Sequence, residues 1–471
     1  MDPVVVVEGG EAKSTCHVVA IPFPGRGHIN PMINLCTSLA SKTNQILVTL
    51  VVTEEWQTIL ALGSEKERPR NLCLATIPNV LMSERTRAGK FPVFFQQVLT
   101  QMEAPVDELL DKMDPPATVL VADTYLPWAF EMANRRDIPA ASLFTMSLTV
   151  FSVLHYFDRF VQNGHFPLDL NAMEEREVVV DYIPGVPPTF LADMSMSLYG
   201  DEPVVRDGVL KSISFVGKSQ YLLLCSIYEL EAQQIDCVKQ ALLPSPVTYH
   251  IGPTIPYSKL PHSPPSLEDN HYLEWLDNQP VGSVLYISQG SIHSTSGPQM
   301  EEIAAGVNKS HVRFLWVARG EVGRLKEKCG EMGLLVPWCD QLRVLCHPSV
   351  GGFWSHCGWS STMESLFAGV PMLTFPLYGD QALNSKLIVE DWKVGWRVTS
   401  SRRMTTHEIV KGDHVAELVR RFMDPENEEV KEVRRRAKEV GDRCRSAVRK
   451  GGSSDSDMDN FIHDIIMERN K

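Results

Sequence analysis

The chain has 471 residues, of which 44% are apolar and 22% are charged, and its formal net charge is -13. This is a globular composition with room for two domains, and the acidic balance argues against a broad basic surface for nucleic acid. Ten scattered cysteines show no secreted disulfide framework. We see no secretory signal in the first residues and expect a cytosolic protein, by default a monomer.

Short apolar runs alternate with helical patterns through the first half of the chain. Near-continuous runs of this kind are typical of strands that are covered on both faces in a parallel sheet. The predicted strands are 17–23, 46–52, 72–77, 118–123, 139–144 and 221–226. They predict a doubly wound α/β domain over residues 1–255. The nearly uncharged stretch 138–157 has about the length of a membrane span, but its Pro, Ser and Thr residues favour a strand followed by a buried helix.

A Pro- and Ser-rich stretch at 249–271 predicts a linker, and the α/β pattern then restarts. The predicted elements are strands 283–288, 312–318, 333–338, 350–355 and 371–377 and a helix over 297–308. We expect a second α/β domain at 256–450 and a final helix within 451–471 that packs back on the first domain. Ligands of such sheets bind at the carboxyl ends of the strands, so functional residues should directly follow strands.

The stretch WSHCGWSSTMES, residues 354–365, joins a predicted strand to a predicted helix. Ser361 and Glu364 have the spacing of a capping box, which would be a purely structural role. That role leaves the other residues of the turn unexplained, namely His356, Gly358, Trp359 and Ser360. Because a helix start offers free N–H groups and partial positive charge, the turn predicts a phosphate site.

The flanks of this turn extend the prediction from phosphate to nucleotide-sugar. Trp338 ends a strand where an indole could stack on a base, and Asp380 and Gln381 follow a strand with groups suited to sugar hydroxyls. The block that contains all of them, 338–381, reads WCDQLRVLCHPSVGGFWSHCGWSSTMESLFAGVPMLTFPLYGDQ. It resembles the signature block of plant family 1 UDP-dependent glycosyltransferases. The similarity extends over nearly the whole chain and includes PFPGRGHINPM near its start.

This resemblance implies a fold of two facing Rossmann-like domains, the GT-B fold, in which the first domain binds the acceptor and the second binds the donor. It implies UDP-glucose as the preferred donor, with other hexoses and pentoses open, and we expect no bound metal or permanent cofactor. It assigns uracil stacking to Trp338, ribose hydroxyls to Gln341 and Glu364, the diphosphate to His356, Ser361 and Ser291, and the sugar to Trp359, Asp380 and Gln381. Cys339, Gly358 and Ser360 complete the implied donor site.

A catalytic pair is predicted in the first domain. His28 lies in PGRGHIN directly after the first strand, and Asp123 ends another strand of the same sheet. An imidazole can accept the proton of an attacking hydroxyl, and a carboxylate on its other nitrogen would set the tautomer. A capping or packing histidine is the structural alternative. The resemblance implies the catalytic roles and a single in-line displacement that inverts the donor to a β-glycoside.

Three other patterns are weaker. GRGHIN lacks the third glycine of a dinucleotide fingerprint. The scattered Cys and His residues near 339–357 lack paired zinc spacing. DSD at 455–457 matches a metal-binding D-x-D motif of other glycosyltransferases, but it follows GGSS in the tail, and we expect it to face solvent.

The acceptor is expected to be a small lipophilic molecule such as a phenol, flavonoid, terpenoid or hormone. An apolar wall is predicted from Phe144, Phe151, Phe190, Met194 and Met196, with ordinary core packing as the alternative. Two other functions stay open. One is a UDP-sugar 2-epimerase of the same fold. The other is a nucleotide-sugar-binding protein without activity, because Ser360 and Gln289 stand where the family usually has Asn and Phe.

Overall fold

The computed structural model describes residues 16–61, 68–84, 86–166, 178–194, 202–260, 271–290, 295–399 and 409–468. Two of the predicted site residues, Met196 and Ser291, lie outside these ranges. The described part contains two parallel sheets with helices on both faces, as the alternating sequence pattern predicts.

The first domain contributes nine described strands. They are β1 (Cys16–Ile21), β2 (Ile46–Thr53), β3 (Leu72–Ile77), β4 (Val119–Asp123), β5 (Ala140–Phe144), β6 (Val179–Val180), β7 (Thr189–Phe190), β8 (Tyr221–Leu224) and β9 (Val247–His250). Its α-helices are α1 (Arg26–Lys42), α2 (Glu54–Ala61), α3 (Phe91–Gln101), α4 (Glu103–Asp111), α5 (Pro127–Arg135), α6 (Leu148–His155), α7 (Phe157–Gln162), α8 (Pro203–Phe215) and α9 (Tyr228–Leu242).

The second domain contributes six described strands. They are β10 (Val284–Ser288), β11 (Arg313–Val317), β12 (Gly333–Val336), β13 (Val350–Ser355), β14 (Met372–Thr374) and β15 (Gly395–Arg397). Its α-helices are α10 (His271–Asp277), α11 (Gly297–Ser310), α12 (Val322–Cys329), α13 (Gln341–Leu345), α14 (Trp359–Ala368), α15 (Gln381–Lys386), α16 (Gly412–Met423), α17 (Glu428–Val448) and α18 (Ser453–Glu468).

In each sheet the spatial order of the strands reverses at the strand that comes first in the chain. The first sheet has the order β3-β2-β1-β4-β5-β8-β9, and the second has the order β12-β11-β10-β13-β14-β15. Strands β1 and β4 are therefore neighbours, as are β10 and β13, and each of these pairs is parallel. In an open α/β sheet this topological switch point leaves a crevice beyond the carboxyl ends of the two strands. The loops after these four strands are thus the expected ligand-binding loops.

The strands are apolar because they are covered on both faces. Every residue of β1, β4, β5 and β10 is buried. The stretch 138–157 forms the buried strand β5 and helix α6, as predicted. No helix in the described ranges is both long enough and apolar enough to cross a membrane.

The structure differs from the sequence predictions at one edge of each sheet. The linker expected from residue 249 overlaps β9, the edge strand of the first sheet, and β15 at the edge of the second sheet was not predicted. Two helices, α3 and α4, lie between the third and fourth strands. Both missed strands are only three or four residues long, which leaves too little sequence for a periodic signal.

The final helix α18 is attached to the first domain through its acidic side chains. Asp455 accepts from Lys42 at 2.5 Å, and Asp457 accepts from the main-chain N–H of His250 at 2.8 Å. Tyr249 donates to Asp464 in the same helix. The prediction that DSD at 455–457 faces solvent is therefore wrong for both carboxylates, which have only 16% and 18% side-chain exposure.

A buried carboxylate in α9 makes stability depend on pH. Glu231 is 1% exposed and accepts from Ser226 at 2.6 Å and from the N–H of Thr149 at 3.2 Å. Burial raises the pKa of Glu231 to about 7. The folded state therefore holds a proton that the unfolded chain releases near pH 4–5, so this group's contribution to stability is lost as the pH rises through 7.

We expect Glu231→Gln to reduce this loss by up to ~3 kcal/mol, because glutamine keeps an acceptor for the Thr149 N–H and needs no ionisation. Urea unfolding at pH 5.5 and pH 8 checks it. The urea midpoint of the wild type should fall more between pH 5.5 and pH 8 than the midpoint of the variant does. An equal fall in both proteins would contradict the prediction.

Candidate active site

Several of the residues that the sequence predicts as functional follow the strands at the two switch points. His28 lies in the first turns of α1, just after β1, and Asp123 is the last residue of β4. In the second domain, Gln289 and Gly290 follow β10, and His356 follows β13. The fold thus brings loops that are distant in sequence together in pairs, one pair at the carboxyl edge of each sheet.

His28 and Asp123 form a hydrogen-bonded pair. The Nδ1 atom of His28 lies 2.8 Å from Oδ2 of Asp123, and the other oxygen of Asp123 accepts from the N–H of Tyr125 at 3.0 Å. A carboxylate only accepts, so Nδ1 carries the proton and Nε2 presents a lone pair. Asp123 is 1% exposed and the His28 side chain 14%, which fits an oriented base at the edge of a cleft.

Three further residues surround this imidazole and were not predicted. The Oγ1 atom of Thr145, directly after β5, lies 3.0 Å from His28 Nδ1. The rings of Phe23 and Tyr125 have centroids 5.0 Å and 5.7 Å from that of His28. Each of the three follows a strand of the first sheet. The rule that functional residues directly follow strands, which predicted His28, could therefore have indicated them as well.

In the second domain, two glycines enclose the side chain of His356. A Cβ on Gly290 would lie 2.6 Å from Nε2 of His356, and one on Gly358 would lie 2.4 Å from it. Only glycine allows so close an approach. Burial lowers the pKa of His356 to about 4, so the ring is neutral at pH 7 and can donate through one nitrogen.

The helix start at α14 has free N–H groups. Gly358 is the N-cap residue and provides no side-chain hydrogen bond to the helix, so the predicted capping box of Ser361 and Glu364 is absent. The first N–H groups of α14, with Ser360 and Ser361 in its first turn, therefore remain available for an anion. Cys357, just before the cap, has a left-handed φ of 66°, which turns the chain from β13 into the helix.

A compact hydrogen-bonded group lies beside this helix start. Gln341 donates to Ser361 at 2.7 Å and to Glu364 at 2.5 Å, and its carbonyl accepts from Tyr286 at 3.1 Å. Both polar atoms of its amide thus have partners within the protein, and one of these bonds holds the carboxylate of Glu364. The resemblance implied that Gln341 binds ribose hydroxyls itself. Burial raises the pKa of Glu364 to about 7.

The base end of the predicted donor site has one exposed aromatic residue. Trp338 follows β12 and is 54% exposed, whereas the neighbouring Cys339 is 5% exposed. The Cys339 sulfur lies 3.4 Å from the Tyr286 hydroxyl. The exposed indole of Trp338 can stack on a planar ring of a ligand. The side chain of Cys339 is buried, so this residue can contact a ligand mainly through its main-chain atoms.

The sugar end lies at the start of α15. The carbonyl of Gln381 accepts from the N–H groups of Leu377 and Tyr378 at 2.7 and 2.9 Å, which leaves its NH2 group to donate. Burial raises the pKa of Asp380 to about 6, while the charge of His28 acts in the opposite direction. Asp380 is thus close enough to His28 for the charge of the imidazole to affect its pKa.

Trp359 is placed differently from the sequence prediction. Its indole is 5% exposed, donates to the carbonyl of Cys225 in the first domain at 2.8 Å, and lies 6.3 Å from the Trp392 ring. The side chain is part of the interdomain contact and does not line a sugar site. Only its main-chain N–H, at the start of α14, stays available to a donor.

Most of the predicted acceptor wall is protein core. Phe144, Phe151 and Met194 are at most 1% exposed and belong to the apolar cluster of the first domain, so they present no surface to a ligand. Phe190 is only partly buried. The alternative of ordinary core packing is correct for the first three.

No group of three or more His, Cys, Asp or Glu residues in the described part of the chain is arranged to hold a metal ion. The two carboxylates of the DSD segment that were candidates for such a role instead contact Lys42 and His250.

Two Rossmann-like domains, with an oriented histidine on one side of the cleft and an anion-binding helix start on the other, define a class of group-transferring enzymes that use nucleotide-activated donors. Residues 269–418 match the family "UDP-glucoronosyl and UDP-glucosyl transferase". UDP-glycosyltransferase 87A1 of Arabidopsis thaliana is 47% identical over 94% of this chain and 99% of its own length. The chain belongs to the plant family 1 UDP-glycosyltransferases.

Solved structures agree with this assignment. Os79 from O. sativa, in complex with U2F and trichothecene, superposes with a TM-score of 0.80 at 26% identity, covering 95% of this chain and 100% of that one. Phytolacca americana UGT2, complexed with UDP-2fluoro-glucose and pterostilbene, gives 0.79 at 25% identity, covering 96% and 100%. The GT-B fold predicted from the sequence is confirmed.

Proposed function

We propose that this UDP-glycosyltransferase transfers glucose from UDP-glucose to a hydroxyl of a small lipophilic acceptor and forms a β-glycoside. The observation that carries the proposal is the 2.8 Å contact between His28 Nδ1 and Asp123, on the acceptor side of a cleft whose other side carries Asp380. The Phytolacca americana complex with UDP-2fluoro-glucose and pterostilbene supports the same combination of substrates.

In the proposed reaction, the acceptor oxygen attacks the anomeric carbon from the face opposite the diphosphate. Nε2 of His28 takes the hydroxyl proton as the new C–O bond forms, and Asp123 stabilises the imidazolium. The C–O bond to the diphosphate breaks, and UDP leaves against the N–H groups of α14 and the neutral His356. One displacement inverts the α-linked donor, and no step in this scheme requires a metal ion.

On the donor side, we propose that Trp338 stacks on uracil and that Glu364, oriented by Gln341, accepts from the ribose hydroxyls. Asp380 and Gln381 form a complementary pair for the sugar, because the first accepts and the second can only donate. All ten cysteines are free thiols, which supports a location in the reducing cytosol.

Incubation of the purified protein with UDP-glucose and a panel of phenols, followed by mass spectrometry and NMR of the anomeric proton, tests the function. We expect a β-glucoside. The absence of any product would favour a binding protein, and a free, altered sugar would favour a 2-epimerase. Parallel reactions with UDP-galactose, UDP-xylose and UDP-glucuronate test the donor, and a faster reaction with any of these would contradict glucose.

A further inference from the structure

Asn384, in α15, is a fully buried amide whose hydrogen bonds join the two domains. Its Nδ2 donates to the carbonyl of Cys357 at 2.9 Å and to Oδ2 of Asp380 at 2.7 Å, and its Oδ1 accepts from the hydroxyl of Ser147 at 3.1 Å. Asn384 and Ser147 are both 0% exposed. A carbonyl and a carboxylate can only accept, so the orientation of the amide is unambiguous.

Two of these contacts hold parts of the donor site. Cys357 lies in the turn between His356 and Gly358 with a φ of 66°, a left-handed conformation that is unfavourable for a residue with a side chain. The bond from Asn384 to its carbonyl stabilises that turn. The bond to Oδ2 of Asp380 fixes the orientation of the carboxylate that binds a sugar hydroxyl in the proposed complex.

The third contact reaches the catalytic side of the cleft. Ser147 is the N-cap residue of α6 in the first domain, and it comes two residues after Thr145, whose hydroxyl lies 3.0 Å from His28 Nδ1. The segment 145–147 therefore contacts the catalytic histidine at one end and Asn384 at the other.

We propose that Asn384 is a positioning residue that holds the sugar-binding carboxylate and the 356–358 turn in register with the catalytic histidine, through Ser147. The inference rests on the proposed function, because it takes Asp380 as a ligand of the sugar. Asn384 contacts no reacting atom in this scheme and acts through Asp380 and Cys357.

The charge of Asp380 provides a readout that separates this role from simple packing. Burial raises the pKa of Asp380 to about 6, and the hydrogen bond from Asn384 lowers it. The titratable groups that face it are His28 on α1, Tyr125 after β4 and Cys357 after β13. Loss of the Asn384 bond should move the ionisation of Asp380 to higher pH, so less carboxylate would be present at pH 7.

The test compares wild type, Asn384→Ala, Ser147→Ala and Asp380→Asn by calorimetric titration with UDP-glucose from pH 5 to pH 8.5, and by the rate of glucose transfer to a simple phenol. For Asn384→Ala we expect the dissociation constant at pH 7 to rise roughly tenfold, as for the loss of buried hydrogen bonds. The affinity step near pH 6 should move upward. For Ser147→Ala we expect that step and the dissociation constant to stay as in wild type, while kcat falls roughly tenfold.

Each outcome decides one question. If Asn384→Ala loses thermal stability but keeps the wild-type pH step and donor affinity, the amide only packs, and the inference is overturned. If Asp380→Asn keeps both the step and the affinity, the proposed sugar site itself is wrong. If Asn384→Ala does not fold, Ser147→Ala still decides, since a wild-type kcat for it would exclude the coupling. Circular dichroism establishes that each variant is folded.

Discussion

Replacing His28 by alanine should lower kcat for glucosyl transfer by roughly 10²–10⁴, the usual contribution of a general base, and should leave the dissociation constant of UDP-glucose within threefold of wild type. The side chain lies on the acceptor side of the cleft, 2.8 Å from Asp123, and the predicted uridine contacts are in the other domain. A hydroxyl without a base is a poor nucleophile at neutral pH, so the loss should appear in turnover and not in donor binding.

The matched variants for this prediction are His28→Gln and Asp123→Asn. Glutamine can occupy the site but cannot take the proton, so it should be as slow as alanine. Asparagine would place an NH2 group against Nδ1 and move the ring proton to Nε2, which blocks the base; its kcat should fall at least tenfold. Single-turnover rates with a phenol and calorimetry with UDP-glucose check both, and turnover of His28→Ala within tenfold of wild type would reject the assignment.

The positions of His28 and of the turn at His356 could be predicted because each depends only on a strand that directly precedes it in the chain. In a doubly wound sheet, residues that directly follow strands reach the same edge, and both His28 and His356 follow strands that were recognisable as apolar runs. The position of Asp123 beside His28 needs one further fact, that β4 is the neighbour of β1. The resemblance to the glycosyltransferase family implied that pairing.

The remaining features depend on contacts between positions far apart in the chain. Nothing near Asn384 in the sequence indicates that it meets Ser147, 237 residues away. The same holds for Trp359, whose indole donates to Cys225 at a separation of 134 residues. Gln341 was assigned to ribose by resemblance, but its three partners use all of its polar atoms. The prediction of an apolar acceptor wall was wrong for most of its residues because hydrophobic residues after strands pack in the core as readily as they line a pocket.

Glu364 should contribute the largest single part of donor affinity. Its carboxylate is oriented by Gln341 at 2.5 Å, and in the proposed complex it accepts from two ribose hydroxyls. Hydrogen bonds to a charged group contribute ~1.5–3 kcal/mol each, so we expect Glu364→Ala to raise the dissociation constant of UDP-glucose at pH 8 by at least roughly 10²-fold. Glu432→Ala, on the solvent side of α17, is the matched control and should bind as wild type does.

The same carboxylate should make donor binding depend on pH. Burial holds the pKa of Glu364 at about 7 in the free protein, and the ribose hydroxyls bind the ionised form, so the bound protein has the lower pKa. Affinity should therefore be constant above pH 7 and fall below it, by roughly tenfold between pH 8 and pH 6. UDP-glucose is the suitable ligand because its diphosphate diester does not titrate in this range. Calorimetry should find weaker binding in Glu364→Gln, and the fall between pH 8 and pH 6 should shrink to the roughly twofold part that Asp380 contributes through its pKa of about 6. A wild-type pH profile in that variant would show that another group binds the ribose.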